Sequence, residues 1–292
     1  MNKTILCFGE ILWDNFGDGK QPGGATMNVA FHLMQQGAPV CFVSSVGDDK
    51  PGLGLTEFLK DNSLYNPLLQ RSRHFPTCQV SVELDDKQQA TYIIPQPVSW
   101  DQILPDRKLT QQAEQAAAIV FGSLVCREKA SRDTLLHLLS DTKALKVFDV
   151  NLRSPHYTQT TIETLAAHAD VVKMNEEEAN LLLSSKKGTL KDRITEFHMK
   201  YHVKTICVTL AERGAVVWHD HEFYEHPGYP VKVVDTVGAG DAFLATFVKG
   251  LLDGLPMNDI LKRSCAVGGF VAGKRGANPR YVEGVTELME TW

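Results

Sequence analysis

The stretch Val233–Phe243, VVDTVGAGDAF, sets two glycines and an alanine directly before an aspartate. Helix N-termini carry unpaired N–H groups and partial positive charge, so they gather anions. Gly238 and Gly240 have no Cβ, so a phosphate could approach the backbone closely there. Asp241 would stand beside that anion in the first helical turn. The helix dipole is expected to depress its pKa and leave it a weak base. Phosphoryl transfer tolerates a weak base, because the hydroxyl proton leaves late and positioning and charge stabilisation do most of the work. The plain alternative is a glycine turn capped by Asp241, and this stretch alone leaves both readings open.

Competing motifs fail on residue type. GAGDAF is not G-x-G-x-x-G, since Phe243 replaces the third glycine and removes the dinucleotide fingerprint. Gly268–Arg275, GGFVAGKR, nearly matches a P-loop but has Arg275 where a hydroxyl would hold Mg²⁺. It also lies in a helical pattern rather than after a strand. In HDHEFYEH, His219 and His221 would share a strand face and could reach a metal, with His226 nearby. The reading favoured there is the flank of a polar hairpin turn.

These residues need elements to position them. ILCFGEIL, VCFVSSVG, AIVFGSLV, KVFDVNL, VVKMN, TICVTL and AVVWHD read as strands, several of them continuously apolar, as buried parallel strands are. Helical patterns lie between them. Met27, Ala30, Phe31 and Met34 recur at helical spacing, and Gly37 supplies the stop. The alternation implies an open, largely parallel sheet with helices on both faces, which binds ligands beyond the carboxyl ends of its strands. Thr77–Pro95 alternates instead like an antiparallel hairpin and reads as a small flap. YPVKVVDT reads as extended, and FLATFVKGLLDG as a buried helix.

The chain has 292 residues, 43% hydrophobic and 22% charged, enough for one large α/β domain with an inserted flap. A net charge of -5 gives no basic footprint for nucleic acid. No apolar run is long enough to span a bilayer. The N-terminus lacks a signal-peptide cleavage pattern, and the six scattered cysteines include no C-x-x-C. A cytoplasmic protein with reduced thiols, acting on small molecules, is the expectation.

With DTVGAGDAF before a buried helix and PGGATMNVA near the N-terminus, the chain resembles the ribokinase (PfkB) family of sugar kinases over essentially its whole length. The resemblance implies a ribokinase-like three-layer α/β/α fold with a mostly parallel central sheet and a small β lid. It implies one kinase domain over residues 1–292, with a lid formed by 12–22 and 76–96. It implies transfer of the γ-phosphate of Mg·ATP to a sugar hydroxyl, with Asp241 as base and the backbone of Gly238, Ala239 and Gly240 as anion hole.

Other positions match the family in turn. Gly23 and Gly24 precede a helix and admit a small ligand, Asn28 offers donor and acceptor to sugar hydroxyls, and Asp14 is similar to the family's sugar-binding aspartate. Alone, Asp14 would read as a loop carboxylate. Asn151 and Arg153 in FDVNLR follow a strand; Arg153 would hold substrate or the moving phosphate, a surface salt bridge being the alternative. Asn175 and Glu178 match an N-x-x-E motif that organises Mg²⁺, here through water. Thr209 and Gly214 match the nucleotide segment, although Ala211 stands where the family more often has glycine. Gly276 and Asn278 would flank the adenine. Asp235 and the carbonyl of Val237 correspond to part of a K⁺ site, completed by carbonyls around 272–276.

GEILWD, GGATMN and FDVNLR look most like the fructokinase branch, whose first motif usually has proline where Thr26 stands. 2-Keto-3-deoxygluconate kinase and ribokinase are the alternatives. A catalytically silent sugar- or nucleotide-responsive regulator is the reading from another class; the intact Asp241 counts against it. The flap, through Val80, Val82 and Leu84, is expected to close over sugar and to pair with a second subunit in a homodimer.

Overall fold

The computed structural model describes residues 4–16, 19–84, 90–183 and 188–281. Strands and helices alternate. β1 (Ile5–Phe8), β2 (Leu12–Phe16) and β3 (Gly19–Gly23) precede α1 (Ala25–Gln35), and β4 (Val40–Val43) and β5 (Ser45–Gly47) precede α2 (Lys50–Asp61). β6 (Gln70–Ser72), β7 (Gln79–Leu84) and β8 (Ala90–Ile93) follow, then α3 (Arg107–Gln115), β9 (Ala118–Gly122) and α4 (Lys129–Ser140). β10 (Leu145–Asp149), α5 (Gln159–His168), β11 (Val171–Asn175), α6 (Glu176–Leu182) and α7 (Leu190–Tyr201) continue the pattern. β12 (Thr205–Thr209), β13 (Ala215–His219), β14 (Glu222–His226), α8 (Ala239–Leu252) and α9 (Met257–Ala272) complete it.

The main sheet runs β14-β13-β12-β11-β10-β9-β1-β4. Pairs from β4 to β12 are parallel, and β13 and β14 add an antiparallel edge. Successive strand residues point to opposite faces, so a strand buried on both sides reads as a continuous apolar run. Leu6, Phe8, Ile119, Phe121, Phe148, Val172, Met174, Ile206 and Val208 enter one core. Their neighbours Ile5, Cys7, Ala118, Val120, Val147, Val171 and Cys207 enter the other. Leu109 of α3, Leu135 of α4, Ile162 of α5 and Ile194 of α7 cover the first core. Met27 of α1, Leu55 of α2, Leu244 of α8 and Ile260 of α9 cover the second. The result is three layers, α/β/α.

Several helix starts are written in the sequence. Asp49, Asp106 and Thr158 each accept a hydrogen bond from a first-turn N–H of α2, α3 and α5. Two expectations change. VCFVSSVG is not one strand: β4 joins the main sheet and β5 pairs with β6. YPVKVVDT forms no strand.

The excursion from the main sheet is a four-stranded sheet, β3-β2-β7-β8, in which Leu12–Phe16 and Gly19–Gly23 stand beside the hairpin of β7 and β8. Its central pair, β2 and β7, is parallel rather than antiparallel. The connection between them carries α1 and α2, and such a long crossover permits parallel pairing. Val80 is buried in the same core as Cys78 and Trp100, so it is not an exposed contact for a second subunit. The side chains of Val82 and Leu84 and residues 17–18 and 85–89 of the expected lid lie outside the described residues. All six cysteines are buried and unpaired. Among the described residues no helix is long and apolar enough to cross a membrane.

Candidate functional site

The polar residues gather where the sheet changes direction. From β1 the order proceeds to β4 on one side, while β9, β10, β11 and β12 follow on the other. The crevice beyond the carboxyl ends at such a switch point is where an open α/β sheet binds its ligands. Glu10 follows β1, Arg153 follows β10, Asn175 ends β11 and Thr209 ends β12. The N-termini of α1 and α8 close the crevice.

Gly238 is the N-cap of α8, with φ 79° and ψ -8°. A Cβ there would stand 2.6 Å from Ala277 Cα, so only glycine fits. The turn Ala239–Asp241 that follows presents N–H groups for which a helix has no i−4 acceptor. Ala239 N reaches the Thr236 carbonyl only at 3.3 Å.

Asp241 accepts a 2.8 Å hydrogen bond on Oδ2 from Asn28 Nδ2. Burial pushes its pKa up to about 7, the nearby Asp149 carboxylate adds to the rise, and Lys173, Asn28 and Arg153 oppose it. The dipole-depressed carboxyl expected from the sequence is therefore corrected. A helix terminus contributes typically 0.3 to about 1 kcal/mol, less than one pKa unit's worth of 1.36 kcal/mol. Desolvation and a second carboxylate outweigh it.

Asn28 is buried and spends both ends of its amide inside the protein. It donates to Asp241, and its Oδ1 accepts from Asn278 Nδ2 at 2.8 Å. Asn278 thus directs its Nδ2 to Asn28, while its Oδ1 is buried without a partner among the described residues. The glycines before α1 are required by close approach. A Cβ on Gly24, at φ 116°, would meet the Glu10 carbonyl at 2.4 Å, and one on Gly23 would meet Asp14 Oδ2 at 2.2 Å. Burial raises the Asp14 pKa to about 6 against the pull of Arg153. Arg153 is exposed, its charge acts on Asp14, Glu10 and Asp241, and among the described residues it forms no ion pair.

Three charged residues escaped the sequence reading. Glu10 is buried at the end of β1; its Oε1 accepts the N–H of Ala25 at 2.9 Å and its Oε2 has no partner among the described residues. Lys173 and Asp149 form a buried ion pair of 3.0 Å between adjacent strands. The Lys173 ammonium lies 3.1 Å from where a Cβ on Gly240 would stand. A glutamate after a strand reads as a break in an apolar run, and a lysine or aspartate within one reads as an edge. Pairing across parallel strands leaves no fixed spacing in the sequence.

Asn175 and Glu178 form a capping box at α6: Glu178 N donates to Asn175 Oδ1 at 2.8 Å, and Asn175 N donates to Glu178 Oε2 at 2.9 Å. Glu178 Oε1 accepts Leu152 N at 2.8 Å. Burial raises the Glu178 pKa, with Lys173 opposing. Both Glu178 oxygens are engaged by the backbone, and among the described residues no three His, Cys, Asp or Glu side chains converge on a metal position. The set suits a hydrated hard cation approached through water rather than a directly coordinated one.

Farther along the strand ends, the Thr209 hydroxyl lies 3.5 Å from the Met174 carbonyl. Gly214, at φ 80°, is wedged against β14, with its Cβ position 1.9 Å from the His226 carbonyl. Asp235 ties two segments together: Oδ1 accepts Val237 N and Oδ2 accepts Gly276 N, each at 3.0 Å. The Ala272 carbonyl, counted among the K⁺ ligands above, accepts from Val234 N and Asp235 N at 2.9 and 3.2 Å. His219 and His221 do not share a strand face, because Asp220 and His221 form the left-handed turn between β13 and β14.

The chain is 28% identical to fructokinase-1 of Oryza sativa subsp. japonica, over 99% of this chain and 98% of the relative. The structure of fructokinase from Xylella fastidiosa with bound ATP superposes with a TM-score of 0.85 at 22% identity, over 100% of this chain and 99% of that one. A sugar kinase from Pyrococcus horikoshii in complex with ATP gives 0.80 at 25% identity, over 98% and 97%. The three layers and small second sheet are thus a ribokinase-like fold. Residues 4–282 match the model of the pfkB family carbohydrate kinases, and the chain belongs to that family of sugar phosphotransferases.

Proposed function

We propose that this sugar kinase is a fructokinase, with Asp241 as the base and the Gly238–Asp241 turn as the anion hole. The observation that carries the reading is the Asn28–Asp241 hydrogen bond at the first turn of α8. It holds a carboxylate in one orientation, and burial places its pKa at about 7. A base matched to neutral pH and fixed beside helix N–H groups suits hydroxyl deprotonation coupled to phosphoryl transfer. The likeness to fructokinases over nearly the whole chain supports fructose as the acceptor.

Asp14, with Gly23 and Gly24 giving close access, would accept hydrogen bonds from sugar hydroxyls. The fructose hydroxyl passes its proton to Asp241 while its oxygen takes the γ-phosphoryl group, and the β–γ bridging oxygen leaves with ADP. The N–H groups of Ala239 and Gly240 receive the developing negative charge, and Arg153 adds its own positive charge. Thr209, Gly214 and Gly276 would border the nucleotide. Mg²⁺ would neutralise the ATP phosphates, its waters facing Asn175 and Glu178. K⁺ would sit against Asp235 and the Val237 carbonyl, steadying the loop before α8. The four-stranded sheet serves as a lid that excludes water and carries a second subunit, in a cytoplasmic homodimer.

The test is ADP release from Mg·ATP with fructose, ribose, 2-keto-3-deoxygluconate, adenosine or no sugar, beside an Asp241→Asn variant. Fructose-stimulated release that the variant loses, while it still binds ATP, is the expected result. Stimulation by another sugar alone reassigns the substrate. No stimulation by any of them favours a silent regulator.

A further inference from the structure

Beneath the first turn of α8 lies the buried ion pair Lys173–Asp149, which none of the roles above uses. The side chains are 8% and 5% exposed, and Nζ meets Oδ1 at 3.0 Å. The other carboxylate oxygen of Asp149, Oδ2, is buried without a hydrogen-bond partner among the described residues. The ammonium sits under Gly240, where a Cβ would stand 3.1 Å from Nζ. Gly240 therefore lets the pair come up against the turn that carries Asp241.

We propose that Lys173 and Asp149, paired in the main sheet beneath the first turn of α8, act as opposed positioning residues that set the charge state of Asp241. The inference rests on the reading of Asp241 as the base. Four groups on other elements act on Asp241: Asp149 from β10, Lys173 from β11, Asn28 from α1 and Arg153 from the segment after β10. Only Asp149 pushes toward the protonated form; Lys173, Asn28 and Arg153 push toward the ionised one. Arg153 is exposed and screened by solvent, and Asn28 carries no net charge. The pair is thus the buried charge that acts on Asp241, and its two members act with opposite sign. Removing the positive member should strengthen the carboxyl's hold on its proton, and removing the negative member should weaken it.

The experiment follows the carboxyl ¹³C resonance of Asp241 through a pH titration of the full chain without ligands. The resonance is assigned by its loss in Asp241→Asn. Lys173→Met is expected to shift the midpoint up by about one pH unit and Asp149→Asn to shift it down by a similar amount. The double variant Lys173→Met/Asp149→Asn buries no unpaired charge, so it keeps the fold where a single variant fails, and its midpoint is expected near the wild-type one. Midpoints that stay in place, or that move the same way in both single variants, overturn the inference and leave the base reading intact. In the double variant, a midpoint displaced by a full unit also overturns it. Undiminished sugar-dependent ADP release by Asp241→Asn overturns the base reading itself, whatever the titration shows.

Discussion

Asn28 and Asp241 stand 213 residues apart in sequence and are joined by a 2.8 Å hydrogen bond. Asn278 fixes the direction of that bond. Its Nδ2 donates to Asn28 Oδ1 at 2.8 Å, so the Asn28 amide must present its NH₂ to the carboxylate. Three residues from α1, α8 and the segment after α9 thus form one line ending at the proposed base. The segment after α9 is itself anchored to α1: His32 Nε2 lies 3.0 Å from the Ala277 carbonyl, and Gln35 Nε2 donates to Pro279 O at 3.0 Å. The orientation of Asp241 therefore depends on residues near both ends of the described chain.

Removing this line should cost turnover more than sugar affinity. Asn28→Ala is expected to lower kcat by about 10- to 100-fold, because a freed carboxylate samples unproductive rotamers. Asn278→Ala should cost less, since it acts only through Asn28. The two changes should be non-additive, with a coupling of roughly 0.5–3 kcal/mol in a double-mutant cycle on kcat. Additive losses would show that Asn278 acts elsewhere.

The pH dependence of stability tests the burial of Asp241. Its folded pKa is raised to about 7, above the unfolded carboxylate value. Between roughly pH 4 and 7 the folded state therefore binds more protons than the unfolded state, and stability falls as pH rises. Above 7 both states are ionised and the penalty is complete. Asp241→Asn has no such penalty. It should be more stable than wild type at pH 8, with the advantage shrinking toward pH 5, as measured by urea unfolding at both values. A pH-independent difference would remove the case for a buried, proton-hungry carboxyl. The same group should give kcat/KM for the sugar an acidic limb near neutrality.

The layered fold was legible because burial on both faces leaves a continuous apolar run, as in Ile5–Phe8 and Ala118–Gly122. The GAGD turn was legible because Gly238 has to adopt a left-handed conformation beside Ala277. The Asp241 pKa was misjudged because sequence shows the helix dipole but not desolvation or the distance to Asp149. Lys173 and Glu10 were invisible as site residues for a related reason: their meaning comes from charges brought in by other elements.

Glycine substitutions separate backbone strain from crowding. Gly238 and Gly254 both have positive φ, at 79° and 70°, but a Cβ on Gly254 meets nothing within 4 Å. Gly254→Ala should cost only the left-handed strain, about 1–2 kcal/mol. Gly238→Ala adds a clash at 2.6 Å with the backbone of Ala277 and should cost roughly 1–3 kcal/mol beyond that strain. It should also abolish phosphoryl transfer, because the turn must move. Thermal unfolding and ADP release on both variants check this; equal losses would mean that Ala277 yields freely.

Arg127 provides the last test, away from the base. It forks onto both oxygens of Asp101 at 2.8 Å, and the two side chains are 2% and 0% exposed. Its guanidinium stacks 4.2 Å from the Trp100 ring and also donates to the Pro95 carbonyl at 2.6 Å. Pro95 closely follows β8, so this arginine links the end of the small sheet to the main core. Arg127→Met would leave the Asp101 carboxylate buried without its counter-charge, a loss expected at about 3–5 kcal/mol. Adding Asp101→Asn removes the stranded charge and should recover part of that loss, since the side chain still faces Val98 N, which donates to Asp101 Oδ2 at 2.9 Å. Urea unfolding of the single and double variants decides it. If the second substitution deepens the loss, the pair's value lies in its geometry around Trp100 and Pro95 rather than in charge neutralisation.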